Sequence, residues 1–259
     1  MSGTYEPELY DYVIPKSLHG DAEWYRRKAI ESGGPVLELG AGTGRITIPI
    51  AEDGLSIYAL DSDEGMRKAL QLKVDILPED VRKRIVLVDG DMRSFRLNQK
   101  FGLVIAPFRA FLHNLTPEDQ KACLQSVFEH LRPGGRFAFN VFHPSLQYMS
   151  NHAGALAGVW RWAGEYKLED GSLLIRSEAN YFDTVRQRVR SLHRYEQYGV
   201  DGYLKRAFLN RLEFAYLYPA DIRRLLEEIG FSKIEIAGDF DGRPFENDTD
   251  ELVIEAERI

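Results

Sequence analysis

The stretch VLELGAGTGR, residues 36–45, decides the fold. Residues 35–39 are short and apolar and lie between glycines, which predicts a buried strand. Glycines crowded at the end of a strand let a ligand approach the backbone closely. The stretch therefore predicts a strand that leads directly into a ligand-binding loop.

The bulk composition is that of an ordinary globular protein. The 259 residues are 44% hydrophobic and 28% charged, and the formal net charge is -7. An acidic chain lacks the basic footprint of a nucleic-acid binder, so we expect no nucleic-acid partner. No apolar run approaches the roughly 18–20 residues of a membrane span, and Cys123 is the single cysteine. We expect a cytoplasmic monomer or homodimer with no membrane partner and, since no Cys/His spacing suggests zinc, no metal.

Strand and helix patterns alternate outward from this stretch. Helical patterns at residues 45–52, after Ser62, after Thr116 and after Tyr218 separate the apolar runs, and we expect Pro49 to kink or shorten the first helix. This alternation predicts an α/β fold with a doubly wound, mostly parallel sheet. The predicted strands are residues 35–39, 56–61, 84–91, 101–108, 136–142, 231–238 and 251–257.

The alternation stops between residues 144 and 216. Residues 144–166 show little periodicity, and three extended runs follow at 172–182, 185–198 and 203–216, which predicts an antiparallel meander. We therefore expect one domain: an N-terminal helical cap over 1–32, a cofactor-binding α/β core over 33–143 and 217–259, and an inserted β meander over 144–216 that acts as a substrate lid.

The residues around the glycine loop indicate what it holds. Gly40, Gly42 and Gly44 form G-x-G-x-G, and Arg45 stands where the dinucleotide fingerprint has its third glycine. Glu38 lies two residues before the loop, which disfavours a pyrophosphate. Asp61, at the end of the second strand, is placed to bind ribose hydroxyls. The pattern indicates a cationic or zwitterionic nucleoside, with Asp91 and Met92 after the third strand as an adenine pocket.

Five segments, in this order along the chain, resemble those of a class I S-adenosylmethionine-dependent methyltransferase. They are GGPVLELGAGTGRIT, ALDSDEGM, VDGDM, LVIAPFRAFLHNLTPEDQ and LRPGGRFAFNVFHP. The resemblance covers the α/β core and not the meander, and it implies a Rossmann-like methyltransferase fold with seven strands and an antiparallel final strand. It implies S-adenosyl-L-methionine as the cofactor and S-adenosyl-L-homocysteine as the product. The implied cofactor-binding residues are Tyr25, Glu38, Gly40, Ala41, Gly42, Gly44, Arg45, Asp61, Ser62, Met66, Asp91, Met92, Pro107 and Phe108.

The sequence departs from the family pattern at three places. Ala41 replaces a frequent cysteine, and the fourth strand ends in IAPFRAF without the acid often present there. The N/D-P-P-[YF] signature is missing, which disfavours methylation of DNA bases or of protein glutamine.

Methyl transfer needs alignment more than a catalytic triad, so the acceptor residues are weakly marked. Arg109 and His113, after the fourth strand, are the predicted catalytic residues, and His143, Arg194 and Tyr195 are the predicted substrate residues; for each histidine the alternative is a packing role. Residues 176–211 carry eight Lys/Arg and four Asp/Glu, a local charge of +4. This charge fits either an anionic acceptor or the solvated face of a sheet.

The leading hypothesis is an enzyme that transfers a methyl group in line to O or N of an unidentified small molecule. An RNA or protein methyltransferase, a non-catalytic S-adenosylmethionine-binding protein and an NAD-dependent oxidoreductase are the alternatives, the last being weakened by Arg45.

Overall fold

The computed structural model describes residues 6–13, 18, 20–248 and 250–259. The described residues form eleven strands in two sheets. The strands are β1 Val36–Leu39, β2 Ile57–Asp61, β3 Ile85–Asp89, β4 Phe101–Ala106, β5 Leu131–Val141, β6 Arg161–Lys167, β7 Leu173–Asp183, β8 Arg188–Tyr198, β9 Leu204–Ala215, β10 Phe231–Ala237 and β11 Leu252–Arg258.

The helices of the described residues follow most of the predicted starts and stops. They are α1 Pro7–Tyr10, α2 Asp21–Ser32, α3 Thr47–Glu52, α4 Glu64–Asp75, α5 Glu79–Arg82, α6 Pro117–His130, α7 Leu146–Ser150 and α8 Pro219–Ile229, with 3₁₀ turns at Ala110–His113 and Gly154–Leu156. None of the helices in this part of the chain is long and apolar enough to cross a bilayer.

The larger sheet confirms the predicted α/β fold. Its seven strands have the order β10-β11-β5-β4-β1-β2-β3. The pairs β1–β2, β1–β4, β2–β3 and β4–β5 are parallel, and β11 runs antiparallel to both β5 and β10. The central strands β1 and β4 are buried at every residue, because helices cover both faces of the sheet. This arrangement places the carboxyl ends of β1 to β4 along one edge.

The smaller sheet is an antiparallel meander of four strands, β6-β7-β8-β9, inserted between β5 and α8. The sequence predicted β7, β8 and β9 but missed β6. Gly164 lies at a β-bulge in β6, where the register with β7 shifts between Trp162 and Gly164. A bulge interrupts the two-residue alternation from which a strand is recognised.

Two helices illustrate how local sequence sets the boundaries. The Thr116 hydroxyl accepts the Asp119 N–H at 3.0 Å and caps α6, as the sequence predicts. α3 begins at Thr47, later than predicted, so Pro49 lies in the first turn. A proline there breaks no hydrogen bond of the helix, so it does not act as the mid-helix kink that the sequence suggested.

Candidate active site

A cleft of about 260 Å³ opens at the carboxyl ends of β1, β2, β3 and β4. In an open α/β sheet this is the edge where ligands bind. The lining residues are Tyr10, Gly40, Gly42, Leu60, Asp61, Ser62, Asp63, Met66, Gly90, Asp91, Met92, Arg93, Pro107, Phe108, Ala110, His113 and Asn114. The cleft thus brings together Gly40, Gly42, Asp61, Ser62, Met66, Asp91, Met92, Pro107, Phe108 and His113 from the predicted site.

The glycine loop forms the floor of the cleft. Gly40 has φ +70° and Gly42 φ +56°, a region that disfavours other residues. The N–H groups of Gly40 and Ala41 both donate to the Leu60 carbonyl, at 2.8 and 3.0 Å. A Cβ on Gly40 would lie 2.9 Å from the Ala110 Cβ, so glycine keeps the floor open where the β4 loop approaches.

Asp61 joins the glycine loop to the end of β2. Its Oδ2 accepts the Gly42 N–H and its Oδ1 accepts the Asp63 N–H, each at 2.8 Å. Burial raises the pKa of Asp61, while these two backbone donors oppose the rise. A carboxylate offers about four acceptor positions, so two are left for the hydroxyls of a ligand.

Asp91 and Met92 lie side by side on the wall formed after β3. The Arg93 guanidinium binds both carboxylate oxygens of Asp91 and reaches Asp119 at 2.9 Å, and it lowers the pKa of Asp91. Asn114 donates to the Met92 sulfur at 3.3 Å. Any group that binds Asp91 therefore shares its carboxylate with Arg93, a partner that sequence spacing did not indicate.

The β4 loop is held by a buried polar chain. Phe108 and Arg109 both have positive φ, +54° and +63°, which is strained for residues with a Cβ. Glu251 binds the Arg109 guanidinium at 2.9 and 2.6 Å and accepts from Asn140 at 2.7 Å. The Tyr25 hydroxyl donates to Asn140 at 2.9 Å. This chain fixes the strained turn that presents Phe108 to the cleft.

Two residues of the predicted site do not line the cleft. Tyr25 was expected to bind the cofactor, but it is fully buried and packs against Trp24 and Phe240. Arg109 was expected to act in catalysis, but it does not line the cleft, because its guanidinium is turned toward Glu251 and the Phe142 ring.

Four further predicted residues lie behind the loop rather than in the cleft. Glu38 is 2% exposed and accepts the Thr47 hydroxyl, and burial raises its pKa to about 8. Arg45 binds Asp21 at 2.7 and 2.5 Å. Ala41 is buried, and Gly44 packs against α4, so both support the loop instead of lining it.

The residues predicted to act on or bind the methyl acceptor lie in different parts of the structure. His113 lines the cleft, and loss of hydration there lowers the pKa of its imidazole. His143 packs between Tyr218 and Phe245, outside the lining. Arg194 stacks on Trp160, and Tyr195 points the other way. Neighbouring residues of a strand point to opposite faces, so Arg194 and Tyr195 cannot share one site.

Several lining residues were not in the predicted set. Tyr10 covers the loop: its ring lies 5.4 Å from that of Phe108 and beside Gly42. Asp63 accepts the Met66 N–H at 3.0 Å as the cap of α4, a role that the spacing D-x-x-M after a strand could have indicated. Leu60, Ala110 and Asn114 carry no comparable sequence signal. No group of three or more His, Cys, Asp or Glu residues in the described ranges could hold a metal ion.

Comparisons with known proteins give the class of this domain. Residues 36–135 match the family model of a methyltransferase domain. The solved structure of the CcbJ methyltransferase from Streptomyces caelestis is 25% identical, with TM-score 0.75, over 95% of this chain and 97% of that one. The glycopeptide N-methyltransferase MtfA is 26% identical, with TM-score 0.56, over 93% of this chain and 90% of that one. A curated relative from Streptomyces sp., cypemycin N-terminal methyltransferase, is 30% identical over 130 residues, 49% of this chain and 51% of the relative.

Residues 36–135 therefore form a methyltransferase domain, as the resemblance to class I S-adenosylmethionine-dependent methyltransferases implied, and S-adenosylmethionine is the cofactor of this class. The chain spans about half the length of the curated relatives it matches.

Proposed function

We propose that this protein transfers a methyl group from S-adenosylmethionine to the amine nitrogen of a small molecule. The observation that carries the proposal is the cleft, in which glycines with positive φ and a ribose-placed carboxylate, Asp61, meet at the ends of adjacent strands. The methyltransferase match over residues 36–135 supports the same donor.

The residues of the cleft fit this donor. Gly40 and Gly42 leave room for close approach to the backbone, and Asp61 keeps two acceptor positions for ribose hydroxyls. Asp91 and Met92 offer a polar edge and an apolar surface to adenine. Asp61, Asp63 and Asp91 give the cleft three carboxylates against Arg93, which favours a cationic ligand over a polyanion.

When bound, S-adenosylmethionine supplies a methyl group on a positively charged sulfur. It would supply this methyl group to the lone pair of the acceptor nitrogen, with the electron pair of the C–S bond left on sulfur and the surplus N–H proton released to solvent. The protein aligns the two partners and excludes water from the cleft. Phe108 and His113, on the cleft wall, are the residues that would contact the reacting groups.

The names of two relatives favour nitrogen over oxygen. MtfA is described as a glycopeptide N-methyltransferase and the cypemycin enzyme as an N-terminal methyltransferase. We further propose that the inserted segment 144–216 covers the acceptor, as the domain organisation predicted from sequence requires.

The donor half of the proposal is tested by calorimetric titration with S-adenosylhomocysteine. Asp61→Asn should weaken binding at least about tenfold, because it removes a charge-assisted acceptor and loosens the loop. Asp75→Asn, at the exposed end of α4, is the matched control and should bind like the wild type. Absence of heat with the wild type would refute the donor assignment.

The acceptor half is tested with S-adenosylmethionine labelled in its methyl group. We expect label in primary or secondary amines of a small-molecule panel and none in the corresponding alcohols. Label in RNase-sensitive material or in protein would instead support the alternatives, and tight binding with no transfer to any extract would indicate a non-catalytic binding protein.

A further inference from the structure

The inner face of the meander carries a cluster of polar side chains that the cleft does not use. Alternate residues of β7 and β8 point to one face. At one end of this face Leu174 and Tyr195 pack on Leu9 and Val13 of the N-terminal segment. At the other end Val189 packs on Tyr216 and on Met149 of α7. The face between these apolar ends therefore looks inward, toward the body of the protein.

The cluster between the apolar ends consists of Arg176, Glu178, Asn180, Ser191 and His193, which we call the inner patch. These residues lie opposite one another in register, Asn180 across from Ser191 and Glu178 across from His193. Asn180 and Ser191 are buried, and the side chains of Arg176 and Glu178 are only 13% and 22% exposed. Such burial is costly for polar groups unless they are paired or bind something.

Hydrogen bonds within the patch connect Asn180, Ser191 and His193. Asn180 uses its amide N–H groups on the Tyr148 hydroxyl at 3.0 Å and on Glu178 at 3.3 Å, so its Oδ1 accepts the Ser191 hydroxyl proton at 2.5 Å. His193 Nε2 lies 2.9 Å from the Ser191 hydroxyl and 3.3 Å from a nitrogen of the Arg176 guanidinium, which can only donate.

The charges of the patch determine which of its groups can donate or accept a hydrogen bond. Burial, with the positive charge of Arg176, lowers the pKa of His193 to about 3, so the ring stays neutral. The Arg176 guanidinium binds Glu178 at 3.0 Å, yet its buried Nε–H has no partner in the described part of the chain. Tyr148 donates to Glu178, and burial raises the pKa of the phenol to about 12, so it remains a donor. The patch thus offers the Glu178 carboxylate beside one spare donor, the Arg176 Nε–H.

The patch lies between the two segments that flank the cleft. The N-terminal segment that reaches the Leu174 end of the face also carries Tyr10, which lines the cleft. β9 packs against the Ala110–His113 turn, and the Arg188 guanidinium donates to the Leu115 carbonyl at 3.0 Å just beyond it. Tyr148 lies 5.7 Å from the Phe142 ring, on which Arg109 stacks.

We infer that the inner patch binds the methyl acceptor, with Glu178 receiving an N–H group of an amine and Arg176 Nε–H donating to a neighbouring hydroxyl or carbonyl oxygen. The inference rests on the proposed function and names its substrate class: a compact amine with an oxygen on an adjacent carbon. Glu178 is the central binding residue of the patch, and Arg176, Asn180 and Tyr148 all hold its carboxylate in place.

The test uses a matched pair of probes, 2-amino-1,3-propanediol and glycerol, which differ only in an amine for a hydroxyl. Each is titrated into the ¹⁵N-labelled protein saturated with S-adenosylhomocysteine, and the Nε–H resonance of Arg176 is followed by NMR. We expect the amine, and not glycerol, to shift this resonance.

Two variants make the experiment decisive. Glu178→Gln keeps the shape of the side chain and should weaken the amine response at least tenfold. Glu196→Gln, on the outer face of β8 beside Arg194, is the matched control and should respond like the wild type. Equal responses to amine and glycerol, or an unchanged response in Glu178→Gln, would overturn the inference. Binding of S-adenosylhomocysteine, measured separately, reports on the donor site alone and so distinguishes failure of the proposed function.

Discussion

Replacing the buried carboxyl of Glu38 by an amide should change how stability depends on pH. Glu38 lies under the glycine loop, 2% exposed, and accepts the Thr47 hydroxyl. Burial raises its pKa from the ordinary 4.5 to about 8, so the protonated form is favoured in the folded protein. Glu38→Gln keeps an acceptor for Thr47 but carries no proton to lose.

The size of the effect follows from the two pKa values. The pKa of Glu38 is 4.5 in the unfolded chain and about 8 in the folded protein, so the folded protein keeps the proton over about 3.5 more pH units. At about 1.36 kcal/mol per unit this amounts to about 5 kcal/mol. This stability is fully present below pH 4.5 and is lost as the pH rises through about 8.

The assay is urea unfolding of the ligand-free wild type and Glu38→Gln at about pH 5 and about pH 8.5. The free energy of unfolding of the variant, relative to the wild type, should rise by about 4 kcal/mol between the two conditions. Glu64→Gln is the control, because the exposed Glu64 carboxylate is bound by Lys68 and its pKa is lowered instead. A relative stability that stays constant within about 1 kcal/mol would refute the reasoning.

Two other substitutions test the packing around the site. Gly44→Ala should destabilise the protein by about 2–4 kcal/mol in urea unfolding, because φ is +87° and the new Cβ would lie 2.2 Å from Leu70 Cδ1. Gly54→Ala is the control, because Gly54 has a similar φ but open space around it. It should show the effect of backbone strain without the clash and lose less stability than Gly44→Ala. Arg109→Met should cost about 3–5 kcal/mol, since it leaves the buried Glu251 unpaired. Adding Glu251→Gln should restore part of the loss; a double variant no more stable than Arg109→Met would contradict this account.

Much of the cleft could be predicted from the sequence because it is assembled from strand ends. A short apolar run locates a buried strand, and in a parallel sheet the residues after each strand meet at one edge. The positions of Gly40, Asp61 and Asp91 on one cleft therefore follow from the strand pattern alone. The match to a methyltransferase domain confirms the class that these residues indicated.

The residues that were misplaced depend on tertiary pairing. Arg109 follows β4 in sequence, but its direction is set by Glu251, 142 positions further along the chain. Tyr25 is drawn inward by Asn140, and Arg45 by Asp21. No local pattern encodes these partners, because a side chain of this length can turn either toward a ligand or toward a buried carboxylate.

The inner patch was missed for a different reason. Arg176 and Glu178 occur in a segment rich in charge, and a charged strand is most simply explained as a solvated face. Only the pairing register shows that these residues face inward, opposite Ser191 and His193. The sequence prediction instead selected Arg194, the residue after His193 in β8, whose side chain points to the opposite face of the sheet.

The way the meander joins the core keeps the two ends of the insertion together. The chain leaves β5 and returns to α8 through one aromatic cluster, in which the Phe142 and Phe214 rings lie 6.5 Å apart and Tyr216 and Tyr218 pack beside them. Entry and exit are thus neighbours, and β9 adds a second contact with the core at the Ala110–His113 turn. The inserted segment therefore interrupts the core in sequence but not in space.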